Sequence, residues 1–492
     1  MRGALLVGLV LRIAAALGGY GPFASDDYRY VLAPAWRWLT QPAAAYGSVI
    51  RSPLLARAVW GLFELGEALG LRDPAWLVRF AYVGLGLWSL TAIPGVHRLT
   101  RRRLGDNAAM WAAYLTAASA LMPRIATRAL IEVVAIPFLV WGLVLVDEAR
   151  TVASAQPRAK DERVLAHLAL QGGILLGLAT LVRFQLGLVL LCAAVILVWP
   201  PRGVGGRPWA WRALLAFGIG AAVALPLQAL LDISIDRLPL ATPWSYVTFN
   251  FHGAAQFGTS PWYTYLLQLV VYTAPPATLV LARPLTRSLQ RHVLVSVTLV
   301  AFILFHSLIG HKEDRFLFPV LPLLFVGLGA ALAETWSGAR WQRFGARFFV
   351  VVNALALIGL TLSDGQRNLT TPLREVARAG KPTRLVTVGW RDLPTMYLGR
   401  DVTGVRVQDA AALLEHVSRA AAPTHILWRH APEPVVAEQL RVRGVLCDAG
   451  EAFAGDVGDR LLVALNAHRN ARRLPTTLVR CQATVNRENH RR

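Results

Sequence analysis

The chain has 492 residues, 55% hydrophobic and 16% charged, with a formal net charge of +22 and a mean hydropathy of +0.45. These values exclude an ordinary soluble domain and describe a polytopic membrane protein. Its basic residues fall largely in short loops between apolar runs, so the charge reads as membrane orientation and not as a nucleic-acid surface.

Length and loop charge predict about eleven crossings. They lie at residues 4–20, 76–96, 107–122, 130–146, 166–182, 186–199, 213–231, 264–282, 293–309, 316–334 and 348–363. Leu5 to Leu17 runs on into Gly-Gly-Tyr-Gly-Pro-Phe without an Ala-x-Ala cleavage site, so it reads as the first span. Residues 52–70 are apolar but carry Arg57, Glu64 and Glu67. An amphipathic interfacial helix is predicted there, because a crossing would invert every later loop. The basic loops are His97–Arg103, Arg150–Arg163, Arg202–Arg212, Arg283–Arg291 and Arg340–Arg347. The positive-inside rule puts all five in the cytoplasm, with the first residues inside and the segment after about Ser363 outside.

The intervening loops then share the outer face. They carry Asp26 and Asp27; Arg124, Arg128 and Glu132; Arg183; an aromatic stretch from Asp232 to Tyr265; and His311 to Arg315. From about Ser363 the apolar runs shorten to strand length, as in Arg384–Gly389 and His425–Trp428, with helical patterns at Asp409–Ala420 and Pro434–Arg443. A small α/β domain is predicted at 364–468, after a transmembrane domain at 1–363 and before a basic polar tail at 469–492. It has no glycine-rich phosphate loop. Cys192 lies in an apolar run, while Cys447 and Cys481 both follow Ser363, where an oxidising outer compartment makes a disulfide one expectation and two unpaired thiols the other. No metal-ligand spacing occurs, and no metal or other cofactor is expected.

The stretch His306 to Pro319 stands out. Five consecutive polar residues, His311-Lys312-Glu313-Asp314-Arg315, separate two apolar runs, and Lys312 occurs in a chain that otherwise favours Arg. Charge beside a span is costly unless paired, hydrated or used, which makes the stretch a candidate site. Arginine and lysine suit a phosphate, aromatic faces suit a sugar ring, and a carboxylate can act as general base on a hydroxyl. Each residue also has a bland reading: Asp26 and Asp27 as helix caps, Arg128 as an interfacial anchor, the aromatics as a membrane belt.

The motif His311-Lys312-Glu313-Asp314-Arg315-Phe316-Leu317, with Pro319, resembles the His-Lys-Glu-x-Arg-Phe stretch of glycosyltransferase family 22. Those enzymes extend N-glycan precursors and GPI anchors from dolichyl-phosphate mannose. Phe249-Asn250 and Phe257-Gly258-Thr259-Ser260-Pro261-Trp262-Tyr263-Thr264-Tyr265 are similar to its next motif, Phe-Asn then Tyr-Gly-Thr-His-Pro-Trp-His-Trp-Tyr. Thr127-Arg128-x-Leu130 matches its Thr-Arg-x-Leu-x-Asn, Arg183 stands at its Arg-Pro-Thr, and Asp26-Asp27 at its His-Pro-Asp-Glu. The departures are Ala24-Ser25 for His-Pro, Asp27 for Glu, Glu132 for Asn, and Ser260 and Thr264 for histidines. The resemblance covers residues 20 to 330, and the composition suggests a bacterial member.

The resemblance implies a membrane all-α, GT-C-type helical bundle with the small C-terminal α/β domain appended. It implies inverting transfer of a hexose, mannose foremost, from a polyprenyl-phosphate donor to a membrane-anchored glycan or lipid acceptor on the outer face of a bacterial plasma membrane. In a eukaryote the membrane would be that of the endoplasmic reticulum. Asp26 is then the expected base, with Asp27 as second choice. Arg128, Arg183, His311, Lys312 and Arg315 would hold the donor phosphate. Glu313 and Asp314 would orient those cations or bind sugar hydroxyls, and Glu132, His252, Trp262 and Tyr263 would line the sugar or acceptor. A polyprenyl-phosphate-sugar transporter or flippase and a non-catalytic lipid-binding relative remain the competing readings.

Overall fold

The computed structural model describes residues 1–154, 159–199, 208–379, 383–388, 390, 393–407, 409–418, 423–429, 434–465, 467 and 470–483. Residues 155–158 and 202–207 of the expected basic loops lie outside the described residues, as do Gly389, residues 419–420 and residues 469 and 484–492 of the expected tail. The chain divides into two compact units: Met1–Ala16 with Ala45–Ala58 and Tyr82–Thr361, and Leu17–Ala44 with Val59–Ala81 and Leu362–Arg492.

The first unit is helical. Among the described residues, five helices are individually long and apolar enough to cross a membrane: Pro74–Leu104, Glu162–Val182, Trp211–Ile233, Asp314–Trp336 and Arg340–Thr361. Other expected spans are shorter helices, including Arg2–Gly18, Gly187–Val198 and Val293–Leu308. The span expected at 264–282 is not one straight helix. It bends by 103° between Thr264–Tyr272 and Ala277–Arg291, because Pro275 and Pro276 supply no backbone N–H and disfavour helical geometry in the residue before them.

Small residues set the closest helix crossing. A Cβ on Gly173 would lie 2.1 Å from the Phe217 carbonyl oxygen, and one on Gly220 would lie 2.2 Å from that of Leu170. The helix Ala159–Val182 therefore packs backbone to backbone on Pro208–Ala222, as small residues allow in membrane helices. Arg183 follows directly on the end of the helix fixed in this way.

Arg12, 1% exposed, ties three helices together. Its Nε donates to Ser89 Oγ at 2.6 Å, Nη1 to the carbonyls of Gly8 and Ala117, and Nη2 to that of Thr116. With those bonds made, a cation inside an apolar helix is tolerated.

The second unit contains a six-stranded sheet. Its strands are β1 (Arg384–Val388), β2 (Thr403–Val407), β3 (Thr424–Trp428), β4 (Val445–Cys447), β5 (Glu451–Phe453) and β6 (Thr476–Ala483). The order is β2-β1-β3-β6-β4, with β5 also on β6. The first three strands are parallel and β6 runs antiparallel to β3, β4 and β5. Helices Ala410–Ser418 and Pro434–Val442 contribute Leu413, Val417, Val436 and Leu440 to a core with Val386, Ile426, Trp428 and Val479. Cys447 and Cys481 stand opposite each other in the β4–β6 ladder and are joined in a disulfide.

The segment 17–44 is held in this unit by polar contacts. Tyr20 and Gly21 donate their N–H groups to Asp364 Oδ1 at 2.9 Å, and the Tyr397 hydroxyl donates to the Tyr20 carbonyl. Gln366 Nε2 donates to the carbonyl of Pro22 and Arg473 Nη2 to that of Phe23. A Cβ on Gly21 would lie 1.8 Å from the Gly365 oxygen, so the approach requires glycine.

Candidate active site

Five ionisable residues of the first unit, Glu132, Arg183, His311, Glu313 and Arg315, form one connected cluster. Glu132 opens the single helical turn Ile131–Val134, and Arg183 stands in extended conformation just after its helix. Arg183 Nη2 lies 3.2 Å from Glu132 Oε1, with both side chains about 1% exposed. Neither Glu132 oxygen nor either terminal nitrogen of Arg183 closes a hydrogen bond within the protein, while Arg183 Nε donates to Gln185 Oε1. The guanidinium sits 5.2 Å from the centre of the Phe316 ring, and that of Arg315 sits 5.8 Å from the same ring. Phe316 thus links the Glu132–Arg183 pair to the 311–315 stretch through two cation–π contacts.

Within that stretch the charges are interlocked. Arg315 Nε donates to Glu313 Oε2 at 2.7 Å and Nη2 to Oε1 at 2.9 Å, a bidentate fork. His311 Nε2 lies 3.2 Å from Glu313 Oε1 and Nδ1 lies 3.0 Å from the Gly258 carbonyl oxygen. The hydrogen bond to Glu313 raises His311 above the ordinary imidazole value, against the opposing effect of burial. Burial pushes Glu313 upward, but the hydrogen bond from His311 and the charge and hydrogen bonds of Arg315 outweigh it and hold the carboxyl well below the usual range. His311 is therefore a cation over a wider pH range than a free histidine, and Glu313 remains an anion.

Lys312 has a different task. Its ammonium donates to the carbonyls of Ser260 and Ile309, and Ser260 N–H donates to the Gly310 carbonyl. These bonds fasten the 258–260 turn to the 309–312 segment and use two of the three ammonium protons. Burial lowers the Lys312 pKa. Asp314 opens the 3-10 stretch Asp314–Val320, and its carbonyl accepts from Gln268.

The other expected residues of this unit stand outside the cluster. Arg128, 0% exposed, donates from Nη1 to the Ala15 carbonyl and to Thr127 Oγ1 and packs on the Tyr82 ring. Its Nε and Nη2 find no hydrogen-bond partner within the protein. His252 ends the helix Ala241–His252 and is exposed. Trp262 and Tyr263 are exposed and meet edge to face.

Asp26 and Asp27 belong to the second unit, on a short helical turn, Ser25–Asp27, followed by a π-helical turn, Tyr28–Leu32. The Asp27 oxygens accept the N–H groups of Phe23 and Ala24 at 2.7 and 2.8 Å. Asp27 is a local cap, 2% exposed, whereas Asp26 is partly exposed.

Sequence reasoning missed Phe316, which links the cluster, and His306, a buried histidine that precedes it in the chain. Phe316 was read as part of a motif and given no role. His306 is 1% exposed, with Nδ1 on the Phe302 carbonyl and Nε2 without a hydrogen-bond partner. The signal for His306 was an ionisable residue near the end of an apolar run, five positions before the motif.

The helical bundle and appended sheet are those of the GT-C membrane glycosyltransferases. The structure resembles that of ArnT from Cupriavidus metallidurans bound to undecaprenyl phosphate, with a TM-score of 0.63 at 13% identity, covering 96% of this chain and 97% of that one. The arabinofuranosyltransferase AftD from mycobacteria matches with a TM-score of 0.50 at 16% identity, over 98% of this chain and 40% of that one. The model of the Alg9-like mannosyltransferase family matches residues 45–370, and the chain belongs to that family. It is 34% identical over 128 residues to GPI alpha-1,2-mannosyltransferase 3 of Danio rerio, covering 25% of this chain and 24% of that protein. It is 33% identical over 203 residues to alpha-1,2-mannosyltransferase ALG9 of Mus musculus, covering 35% and 33% respectively. The matched part is thus about a quarter to a third of the length of these curated relatives.

Proposed function

We propose that the protein transfers a hexose, mannose foremost, from a polyprenyl-phosphate donor to a glycan or glycolipid acceptor, with inversion at the anomeric carbon. The observation that carries this reading is the cluster of buried Arg183, Glu132 and Arg315 with half-buried Glu313 and His311 in a member of the Alg9-like family. Arg183 offers two terminal nitrogens whose hydrogen bonds are unmade, near His311, whose pKa its contact with Glu313 raises, and a fixed Arg315. A departing phosphate gains negative charge as the glycosidic bond breaks, and preorganised cations stabilise that charge. Arg128, with two unmatched guanidinium nitrogens, and Lys312 are assigned to the same phosphate chemistry.

Glu132, Glu313 and Asp314 orient these cations or accept sugar hydroxyls, and His252, Trp262 and Tyr263 are assigned to the sugar or acceptor. Asp26 is assigned as the base that takes the acceptor's hydroxyl proton, and the capping bonds of Asp27 favour that choice between the two. The assignment of a transmembrane domain at 1–363 and an α/β domain from 364, which β6 carries past the expected boundary at 468 to Ala483, with the first residues inside and the sheet outside a bacterial plasma membrane, is likewise ours. The Cys447–Cys481 disulfide supports it, since such bonds persist in oxidising compartments.

The test is incubation of membranes carrying the protein with polyprenyl-phosphate [14C]mannose, followed by extraction of glycolipid and glycoprotein. Label is expected in an acceptor. Movement of the donor across the membrane without transfer would overturn the reading in favour of a flippase.

A further inference from the structure

We propose that a cavity in the sheet-bearing unit, of about 340 Å³, binds an anionic saccharide: a sugar ring carrying a phosphate or a carboxylate. Its walls come from four stretches of that unit. Trp36 projects from the helix Ala33–Thr40, Glu67 and Asp73 lie at and beyond the end of Leu54–Ala68, and Arg374 comes from Arg367–Arg378. Gly399, at φ +74°, turns the chain after the buried Met396, Tyr397 and Leu398 so that Arg400 completes the wall.

Two ion pairs brace these walls. Arg374 Nη2 lies 2.6 Å from Asp73 Oδ2, while Asp73 Oδ1 accepts the N–H of Ala75. Arg400 Nη2 lies 2.5 Å from Glu67 Oε1, with its guanidinium 5.9 Å from the centre of the Trp36 ring. The pairs account for Arg374, Arg400, Asp73 and Glu67 as structure. They do not account for Arg72, which lines the cavity, is exposed and has no carboxylate partner among the described residues. Nor do they account for Arg378, whose partner Glu375 is outside the lining. The lining holds four arginines, Arg72, Arg374, Arg378 and Arg400, against three carboxylates, Glu67, Asp73 and Asp401. The surplus positive charge favours an anion.

The same carboxylates argue against a bare anion, which they repel. Guanidinium forks that donate, carboxylates that accept and an indole that contributes apolar surface together match a ring of hydroxyls bearing one negative group. The volume lies within the range of small-molecule sites. This inference does not depend on sugar transfer: it concerns binding alone, on residues outside the cluster around Arg183.

The experiment is calorimetric titration of the full chain in detergent with four probes: mannose 6-phosphate, glucuronic acid, mannose and inorganic phosphate. One or both charged sugars are expected to bind at least about tenfold more tightly than mannose and than inorganic phosphate, the difference made by one charge-assisted hydrogen bond. The arm that binds identifies the anionic group. Arg72→Gln removes a side chain with no ion pair to break, and should bring the charged sugar down to the affinity of mannose. Arg400→Gln should do the same, with thermal denaturation reporting whether its fold survives. Equal binding of inorganic phosphate and mannose 6-phosphate, no binding of either charged sugar, or full affinity in a folded Arg72→Gln protein would overturn the proposal.

Discussion

Arg183 and Glu132 form a buried ion pair whose facing atoms, 3.2 Å apart, leave hydrogen-bonding capacity unspent on both sides. Attraction to Glu132 opposes repulsion from Arg51 and Arg315, so the carboxylate is what makes a buried cation tolerable here. Glu132→Ala is expected to cost about 3–5 kcal/mol of stability, as breaking a buried pair from one side does. The double variant Glu132→Ala/Arg183→Ala should cost less than the sum of the two singles. Thermal denaturation of the four proteins in one detergent checks this, and strict additivity would show that the pair is not energetically coupled.

The neighbouring aspartates should separate cleanly. Asp27→Ala removes the acceptor of two backbone N–H groups and is expected to lower stability by about 1–2 kcal/mol, the scale of a lost helix cap. Asp26→Asn should leave stability and donor binding intact while turnover falls by ~10²–10⁴-fold, the range for losing a general base. Near-wild-type transfer by Asp26→Asn would remove Asp26 from the chemistry.

Donor binding should weaken toward alkaline pH. The folded pKa of His311 lies above its unfolded value, so the contribution of the charged His311–Glu313 contact is complete below about 6.5 and is lost as the pH rises through the raised value. The folded pKa of Glu313 is depressed, so its contribution is complete above about 4.3 and is lost only as the pH falls through the depressed value. Affinity is expected to be greatest between these limits and to fall by about fivefold above the His311 transition, the equivalent of one ordinary hydrogen bond. His311→Gln should flatten the alkaline limb; an unchanged limb would assign it to another group.

Cys447 and Cys481 should resist alkylation under denaturing conditions until a reductant is added, while Cys192 is labelled in both cases. The bond closes a sequence separation of 34 residues, and Cys481→Ser is expected to destabilise the sheet by about 2–4 kcal/mol. Peptide mass spectrometry and thermal denaturation read the two effects.

Local chemistry made much of this legible in the sequence. The consecutive charges of 311–315 could not be ordinary span, and strands β1 and β3 were visible as short apolar runs. The helix break at Pro275-Pro276 was missed because apolar content hid it, although the two prolines were in plain view. What a single chain could not reveal was pairing over long separations. The meeting of Glu132 with Arg183, and of Phe316 with two arginines, depends on helix packing and has no local pattern. The double role of Asp73 and the tie between Tyr20 and Asp364 escaped for the same reason.

The sheet-bearing unit draws residues 17–44 and 59–81 from the early chain and everything from 362 onward from the late chain. During synthesis, therefore, the turn that carries Asp26 emerges long before Asp364, Gln366, Tyr397 and Arg473, whose contacts hold its segment. Its native anchoring must wait until nearly the last strand has been made. A chain stopped near residue 363 would retain the whole first unit in sequence, yet its Asp26 segment would lack those four anchors.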